Sequence, residues 1–238
     1  NTAIPENKWK VIQGSVSVTE YGNAVPYSHK LELLAEFDPN DISSETLRSD
    51  MKEVLDSAAA AVFITSDWRA VCTSTASTVF TTNSSVAATA AANMSDKNVR
   101  DIVDYMQKGW IPSYDSQGYV CVGSVNSLRG LYDYLQAIMQ YAKPEFTYNF
   151  EIGSYYSCRF VRETSYLSNA AGSGSQYGKA VFFGKDAVVE GLAEAEKLVM
   201  KVPTDYNRSK GVSWQGTTGF AKVWDQSSDD ANSTGKGI

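Results

Sequence analysis

The stretch DPNDISSETLRSDMKEVLDSAAAAVFIT, residues 38–65, decides the fold of this 238-residue chain, because it combines a helix start with no internal helix breaker. Asp38 is a favourable N-cap, Pro39 suits the first helical position, and Asp41 and Glu45 place negative charge at the positive end of the helix dipole. The pattern predicts one long helix. At a rise of about 1.5 Å per residue it would be roughly 40 Å long, comparable with the roughly 45 Å diameter of a compact chain of this size.

One face of this helix is predicted to be buried. The apolar positions recur three to five residues apart and are Ile42, Leu47, Met51, Val54, Leu55, Ala58 and Val62. Arg48, Lys52, Glu53 and Asp56 lie off this stripe and are expected to face water. Taken alone, such a helix is most often a core helix of an α/β enzyme, so the surrounding sequence has to decide its role.

Composition narrows the possible functions. Hydrophobic residues make up 43% of the chain and charged residues 20%, as in globular proteins. No run of about eighteen apolar residues and no signal-peptide pattern is visible, so no membrane association is predicted. The 21 basic and 27 acidic residues give a net charge of −6, which argues against a protein whose main task is to grip nucleic acid. Such a chain could still lie beside DNA without adhering to it.

Residues that usually carry chemistry are few and scattered. Cys72, Cys121 and Cys158 are far apart and form no C-x-x-C pair, which predicts buried free thiols and synthesis in a reducing compartment. His29 is the only histidine, and nothing near it has the spacing of a Ser-His-Asp triad or a metal site. We therefore predict no catalytic residue, no metal ligand and no bound cofactor.

The segments on either side of the long helix differ in character. Residues 8–20 alternate as in a strand, and Tyr21-Gly22-Asn23 is expected to turn the chain towards apolar Leu31, Leu33 and Leu34. Residues 66–94 are rich in Ser, Thr and Ala with few charges, which is typical of a surface insertion with short strands such as 77–82.

The middle of the chain alternates helix and strand. Ser95 is predicted to cap a helix that has Val99, Ile102, Val103 and Met106 as its stripe and Gly109 as its end. The apolar run 119–122 predicts a buried strand, and a third helix with Leu128, Leu131, Leu135, Ile138 and Met139 inward should end before Pro144. Together these elements predict an α/β layer.

The last third is predicted to be rich in strands. Residues 150–166 are strand-like with an interruption at Gly153, and 170–178 form a Gly/Ser loop that we expect to be a flexible hairpin tip. Residues 180–183 resume a buried strand, which Gly184-Lys185-Asp186 turns. Residues 212–224 are predicted to be a last strand pair, and 225–238 a mobile polar tail.

Four segments resemble the major capsid proteins of tailed bacteriophages, in the branch typified by N-four-like podophages. The first is EIGSYYSCRFV, residues 151–161; the others are EYGNAV at 20–25, FGKDA at 183–187 and NRSKGVSW at 207–214. Together they cover most of residues 16–224 in the right order, with Gly219 and Val223 beyond the last. Phe150, Ser157 and Cys158 depart from the pattern, which usually has glycine, glycine and an aliphatic residue there.

The resemblance implies an α+β architecture, the Hong Kong 97 (HK97) type capsid fold, in which a long spine helix crosses a peripheral (P) domain and an α/β axial (A) domain sits at the capsomer centre. The implied divisions are 1–30 as the end of an extended loop and strand, 31–65 as the P domain with the spine helix, 66–94 as the surface insertion, 95–190 as the A domain, 191–224 as return strands of the P domain, and 225–238 as the tail. Members of the family also carry an N-terminal arm and an extended loop upstream of the strand at 8–20, and that region is expected to be missing or cut short here.

The function implied by the resemblance is structural. Many copies would form hexamers and pentamers of an icosahedral virion head that encloses double-stranded DNA without specific recognition, after synthesis in the host cytoplasm. Scaffolding, portal and decoration proteins would be partners. The alternatives are an α/β, hydrolase-like enzyme without a recognisable catalytic motif, and a Ser/Thr-rich surface-binding domain that would not explain the long capped helix.

Overall fold

The computed structural model describes residues 14–82, 88–116, 118–139 and 151–223. The helices are α1 (His29–Leu34), α2 (Pro39–Ile64), α3 (Asp96–Lys108) and α4 (Val125–Met139). The strands are β1 (Thr19–Ser28), β2 (Arg69–Ser74), β3 (Ser77–Thr81), β4 (Tyr119–Ser124), β5 (Glu151–Tyr155), β6 (Cys158–Glu163), β7 (Ala180–Phe183), β8 (Val188–Met200) and β9 (Ser209–Lys222). Within these ranges the strands form sheets ordered β1-β9-β8, β2-β3 and β5-β6-β4-β7.

The predicted long helix is α2, and its start is confirmed. The Asp38 side chain accepts a hydrogen bond from the Asn40 amide at 2.9 Å, and Pro39 occupies the first turn. At the other end the Thr65 hydroxyl donates to the Val62 carbonyl at 2.7 Å, which satisfies one of the free carbonyls of the last turn.

The buried face of α2 is narrower than predicted. Leu47 is buried, and Met51 and Val54 pack with it against the β1-β9-β8 sheet. The prediction that Ile42 belongs to the buried stripe is wrong, since its side chain is 55% exposed. The neighbouring Ser43, one turn before Leu47, faces the sheet instead, and successive helical residues point about 100° apart.

The structure has a strand at a position where the sequence predicts a turn. Tyr21-Gly22-Asn23 lies inside β1, which pairs antiparallel with β9 from Thr19 to Ser28. Gly22 is present because the strands approach closely: a Cβ there would lie 2.8 Å from the Trp214 carbonyl oxygen. The strand predicted over 8–20 begins only at Thr19, with 14–18 irregular and 8–13 outside the described residues.

The closing segment is one strand and not the predicted pair. β9 runs unbroken from Ser209 to Lys222 as the central strand, hydrogen-bonded to β1 on one side and β8 on the other. Gly219 allows residues before β1 to approach, because a Cβ there would meet the Ser17 carbonyl oxygen at 2.1 Å. Trp224 and the predicted tail lie outside the described residues.

The helices of the α/β layer agree with the predictions. Ser95 and Asn98 form a capping box, the four predicted stripe residues of α3 are buried, and Gly109 is its C-cap. Leu128 and Leu131 of α4 are buried. The side chains of the other three predicted inward residues, and the chain from there to Pro144, lie outside the described residues.

The four-stranded sheet is centred on β4, which is parallel to β6 and antiparallel to β7. The strands expected within 119–122, 150–166 and 180–183 are confirmed, including the irregularity at Gly153. The prediction that 170–178 is a hairpin tip is correct locally, because Ala171 and Tyr177 pair antiparallel and exchange both backbone hydrogen bonds. The tip does not join two paired strands, however, since β6 and β7 lie on opposite sides of β4. The Ser173 amide fixes this loop by donating to the Ala90 carbonyl at 2.8 Å.

Two buried clusters result. One lies between α3, α4 and the four-stranded sheet, with the β2–β3 hairpin packed on it through Trp68, Cys72 and Phe80. The other joins Leu47 of α2 to Val212 and Trp214 of β9. The end of α2 approaches the four-stranded sheet through the Phe63 and Phe183 rings, whose centroids are 5.0 Å apart.

Candidate functional surfaces

His29 takes part in a structural anchor. Its Nδ1 lies 3.0 Å from Glu32 Oε2, and the Lys210 ammonium donates to the same oxygen at 2.7 Å. The hydrogen bond from Lys210, followed by that from His29, lowers the pKa of Glu32 below its ordinary value. The three side chains therefore tie α1 to the beginning of β9.

The cysteines lie in apolar surroundings that suppress thiolate formation. Burial raises the pKa of Cys72 to about 11 and that of Cys158 to about 12, and it raises the pKa of the fully buried Cys121 well above the usual range. A thiol is a nucleophile and metal ligand only as the thiolate. These three side chains consequently act as small core residues.

Within the described part of the chain, no three His, Cys, Asp or Glu side chains are grouped so that they could hold a metal ion. No helix in that part is long and apolar enough to cross a membrane.

A cavity of about 500 Å³ lies between the β2–β3 hairpin, α3 and β7. Its lining is mainly apolar and aromatic, including Trp68, Phe80, Met106 and Phe182. Arg69 also borders it, with its Nε buried and without a hydrogen-bond partner. Among the described residues that line it there is no carboxylate and no histidine.

Large apolar side chains are exposed at one end of the β1-β9-β8 sheet. The first group belongs to residues 31–45, which we call the acidic corner: α1, the connection to α2 and the first turns of α2. Its exposed apolar side chains are Leu31, Leu33, Leu34, Phe37 and Ile42, of which Leu34 is 73% and Phe37 69% exposed. Apolar side chains grouped in this way on a surface usually mark an interaction site.

The second group belongs to residues 200–208, which we call the basic turn and which connects β8 to β9. Met200, Val202 and Tyr206 are exposed here, Val202 by 79% and Tyr206 by 100%. The Arg208 carbonyl accepts a hydrogen bond from the His29 amide at 3.0 Å, so the turn starts beside α1. The register Ser28↔Ser209 places both groups at the same end of the sheet.

The basic turn has an unusual backbone. Asp205, Tyr206 and Asn207 have φ of 53°, 52° and 71°, so three successive residues other than glycine are left-handed. Such residues cost about 1–2 kcal/mol each, and strained backbone is concentrated where a protein presents a side chain to a partner. The Arg208 amide closes the turn by donating to the Asp205 carbonyl at 3.0 Å. The result is a defined loop that holds Tyr206 in water.

The two groups have opposite charge. Residues 31–45 contain five carboxylates, Glu32, Glu36, Asp38, Asp41 and Glu45, and the exposed Lys30 of α1 lies directly beside them. The basic turn contains Lys201 and Arg208 against Asp205, a net charge of +1. Since Glu32 is already bound to Lys210, four carboxylates of the corner remain to set its surface charge.

The sequence predicted part of this surface. Leu31, Leu33 and Leu34 stand out as an apolar approach to the long helix, but no periodicity shows that they stay exposed. The basic turn lies within residues 191–224, which the sequence predicts only as return strands. The feature that could have identified a surface turn is the polar, turn-forming run Lys201-Val-Pro-Thr-Asp-Tyr-Asn-Arg208 between two strand-like segments.

Solved structures similar to this chain are phage capsids. The head of Helicobacter pylori bacteriophage KHP40 matches with a TM-score of 0.66 and 14% identity, covering 92% of this chain and 72% of that chain. The acidic stable capsid of Helicobacter pylori bacteriophage KHP30 gives 0.64 and 13%, covering 87% and 69%. The cyanophage Pam1 capsid asymmetric unit gives 0.60 and 15%, covering 87% and 71%.

Comparison by sequence gives no further relative. The chain matches no protein-family model, and no curated protein is significantly similar to it. Of these comparisons, only the comparison of structures finds similar proteins. This chain has the fold of phage capsid proteins.

Proposed function

We propose that this chain is the major capsid protein of a tailed, double-stranded DNA bacteriophage. Many copies form hexamers and pentamers of an icosahedral head. The observation that carries the proposal is the shared fold, since capsids of phages with different hosts match nearly nine-tenths or more of this chain at TM-scores of 0.60 to 0.66. The four sequence segments that resemble the same family support it independently.

The proposal includes the HK97-type division of the subunit. In this division α2 is the spine helix, 31–65 and 191–224 form the P domain, 95–190 form the A domain, and 66–94 are an insertion. The two buried clusters support it, because Leu47 packs against Val212 and Trp214, and the larger cluster is drawn almost entirely from 95–190. The N-four-like branch remains part of the proposal.

The surface chemistry is suited to a container for DNA. Each phosphate contact made by a basic residue adds salt-dependent affinity, whereas this chain carries six more acidic than basic residues. A wall of this charge would enclose DNA without specific recognition. The protein would be synthesised in the host cytoplasm and reside in the virion, where scaffolding, portal and decoration proteins are its expected partners.

Electron microscopy of the purified full-length protein, expressed alone and with a scaffolding partner, tests this function. We expect closed shells or capsomer rings, and a sedimentation profile dominated by large assemblies. A monodisperse monomer under both conditions, or turnover of a small-molecule substrate, would contradict the proposal and favour an α/β enzyme.

A further inference from the structure

We propose that the basic turn of one copy docks onto the acidic corner of a second copy. This contact rests on the proposed function, because it specifies one of the interfaces that a shell requires. It commits to a single occupant for both surfaces, a second copy of this chain, and to a head-to-tail arrangement in which two different surfaces meet.

Apolar burial provides the first argument. Tyr206 and Val202 project from the basic turn, and Phe37 and Leu34 project from the acidic corner, all four exposed by more than two-thirds. A contact that removes these side chains from water gains about 25 cal/mol per Å² of apolar area. Aromatic residues presented at the centre of an interface are also the side chains that most often dominate binding energy.

Charge complementarity provides the second argument and selects the pairing. Two acidic corners would repel each other, since each carries five carboxylates and the neighbouring Lys30 offsets only one of them. Two basic turns would bring Lys201 and Arg208 of both copies together. Only the pairing of turn with corner brings opposite charges around an apolar centre, so charge favours the unlike contact over both like contacts.

The backbone of the turn provides the third argument. The hydrogen bond from the His29 amide to the Arg208 carbonyl fixes the base of the turn next to α1 of its own chain, yet Tyr206 at its tip remains completely exposed. The turn therefore leaves its own corner uncovered. The turn is closed by the hydrogen bond from the Arg208 amide to the Asp205 carbonyl and by the Thr204–Ser209 pair, which lowers the conformational entropy lost when a partner binds.

A head-to-tail contact of this kind has a geometric consequence. Each copy offers one turn and one corner at the same end of its sheet, so every copy can bind two neighbours through them. Interfaces between unlike surfaces generate closed rings when the rotation between copies closes. The contact would thus join copies around a symmetry axis at this end of the subunit.

Disulfide trapping tests the pairing directly. Tyr206→Cys and Phe37→Cys are made separately in the full-length chain with Cys72→Ala, mixed, assembled and oxidised. We expect a disulfide-linked dimer in the mixture and none from either variant alone. Trp110→Cys mixed with Tyr206→Cys is the matched control, since Trp110 is 79% exposed but lies at the end of α3; this pair should not cross-link.

The results separate the contact from the function. Shells without the mixed cross-link would overturn the contact and leave the capsid proposal standing, whereas the mixed cross-link without shells would support the contact and contradict the capsid proposal. A cross-link of Tyr206→Cys with itself would show that turns meet turns and would overturn the head-to-tail arrangement.

A second measurement compares the self-association of substituted chains without cross-linking them. Tyr206→Ala is expected to weaken self-association by roughly tenfold or more while leaving the subunit melt unchanged, because the side chain makes no contact in the isolated chain. Arg208→Glu should weaken association as well, and Arg208→Glu combined with Asp41→Lys should restore part of it. Equal association by wild type and all three variants would overturn the proposal.

Discussion

The α/β layer buries more apolar side chains than the α2 region, which consists of α2 and the β1-β9-β8 sheet. In the layer, twelve buried hydrophobic residues between Met94 and Phe160 form one cluster, whereas between α2 and the β1-β9-β8 sheet the corresponding cluster contains Leu47, Val212 and Trp214. The layer resembles the interior of an independent domain. The α2 region has a thin core for a helix of 26 residues.

Exposed side chains differ in the same direction. The large exposed residues of the layer are mainly aromatic with polar atoms, such as Trp110, Tyr132 and Tyr156, and Tyr156 donates a hydrogen bond to Asp104 at 2.9 Å. The large exposed residues of the α2 region are mainly aliphatic, such as Leu33, and have no polar atoms that could form hydrogen bonds with water. Under the proposed assembly, neighbouring copies would cover the exposed aliphatic side chains of the α2 region, whereas the layer buries most of its apolar residues within its own chain.

The same substitution placed in both regions should give the largest contrast. Phe160→Ala removes a ring that is fully buried in the layer and is expected to lower the free energy of unfolding by about 3–5 kcal/mol. Phe37→Ala, in the acidic corner, is the matched control and should change it by under about 0.5 kcal/mol. Urea melts of the dissociated subunit measure both, and equal losses would contradict the contrast between the regions.

Within the α2 region, neighbouring positions on one helix should differ. Val54→Asp places a charge against the Trp214 cluster and is expected to cost about 2–3 kcal/mol, because Val54 is only partly buried and water can reach the carboxylate. Glu53→Gln on the exposed face should cost under about 0.5 kcal/mol. Thermal melts followed by circular dichroism check the pair; matching melting temperatures would mean that the buried face of α2 is assigned wrongly.

A carboxylate supports the thin core from its edge. Asp50 Oδ2 accepts hydrogen bonds from Trp214 Nε1 at 2.7 Å and Asn23 Nδ2 at 3.1 Å, so one side chain joins α2 to β9 and β1. Asp50→Ala leaves the buried indole N–H without this acceptor and is expected to cost about 1–2 kcal/mol. Tryptophan fluorescence during urea unfolding measures the loss, and Asp56→Ala, exposed on the same helix, should leave stability nearly unchanged.

The smallest expected effect is the pH dependence of the anchor between α1 and β9. The folded-state pKa of Glu32 lies below its ordinary value of 4.5, chiefly through the hydrogen bond from Lys210. The unfolded chain therefore binds the proton more readily, so the anchor stabilises the fold above about pH 4.5 and this contribution is lost as the pH falls through the folded-state pKa.

A substitution isolates this contribution. In Glu32→Gln the slope of stability against pH between about 3 and 5 should be shallower than in wild type, while the two chains respond alike above that range. Urea midpoints measured across the range test this. A slope unchanged by the substitution would show that Glu32 contributes nothing to the acid sensitivity of the α2 region.

Local sequence was sufficient wherever a signal and its structure lie within a few residues. Asp38 and Pro39 define the start of α2, and Ser95 with Gly109 defines both ends of α3, because a helix cap is made by the residues next to it. The apolar run of β4 likewise predicts a strand covered on both faces. The predicted apolar stripe of α3 is also confirmed, because all four of its residues are buried.

The incorrect predictions concern residues whose conformation depends on distant partners. Gly22 has the local signature of a turn, yet it lies in a strand, because Trp214, remote in sequence, passes too close for a side chain. Ile42 has the correct spacing for the buried face, but the position of the sheet selects Ser43 instead. Residues 170–178 could not be placed until the order β6-β4-β7 was known.

By itself the sequence determined the long capped helix, the α/β layer and the family resemblance. It also determined that residues suited to catalysis or metal binding are few and scattered. Only the tertiary structure decided that β9 is the central strand of its sheet, that Asn98 is buried while donating to Ser74 and Thr78 of the hairpin, and that the acidic corner and the basic turn lie side by side. The physical reason is the distance along the sequence over which each kind of interaction acts. Capping and periodicity act within a few residues, whereas strand pairing and surface exposure depend on segments that are distant in the sequence.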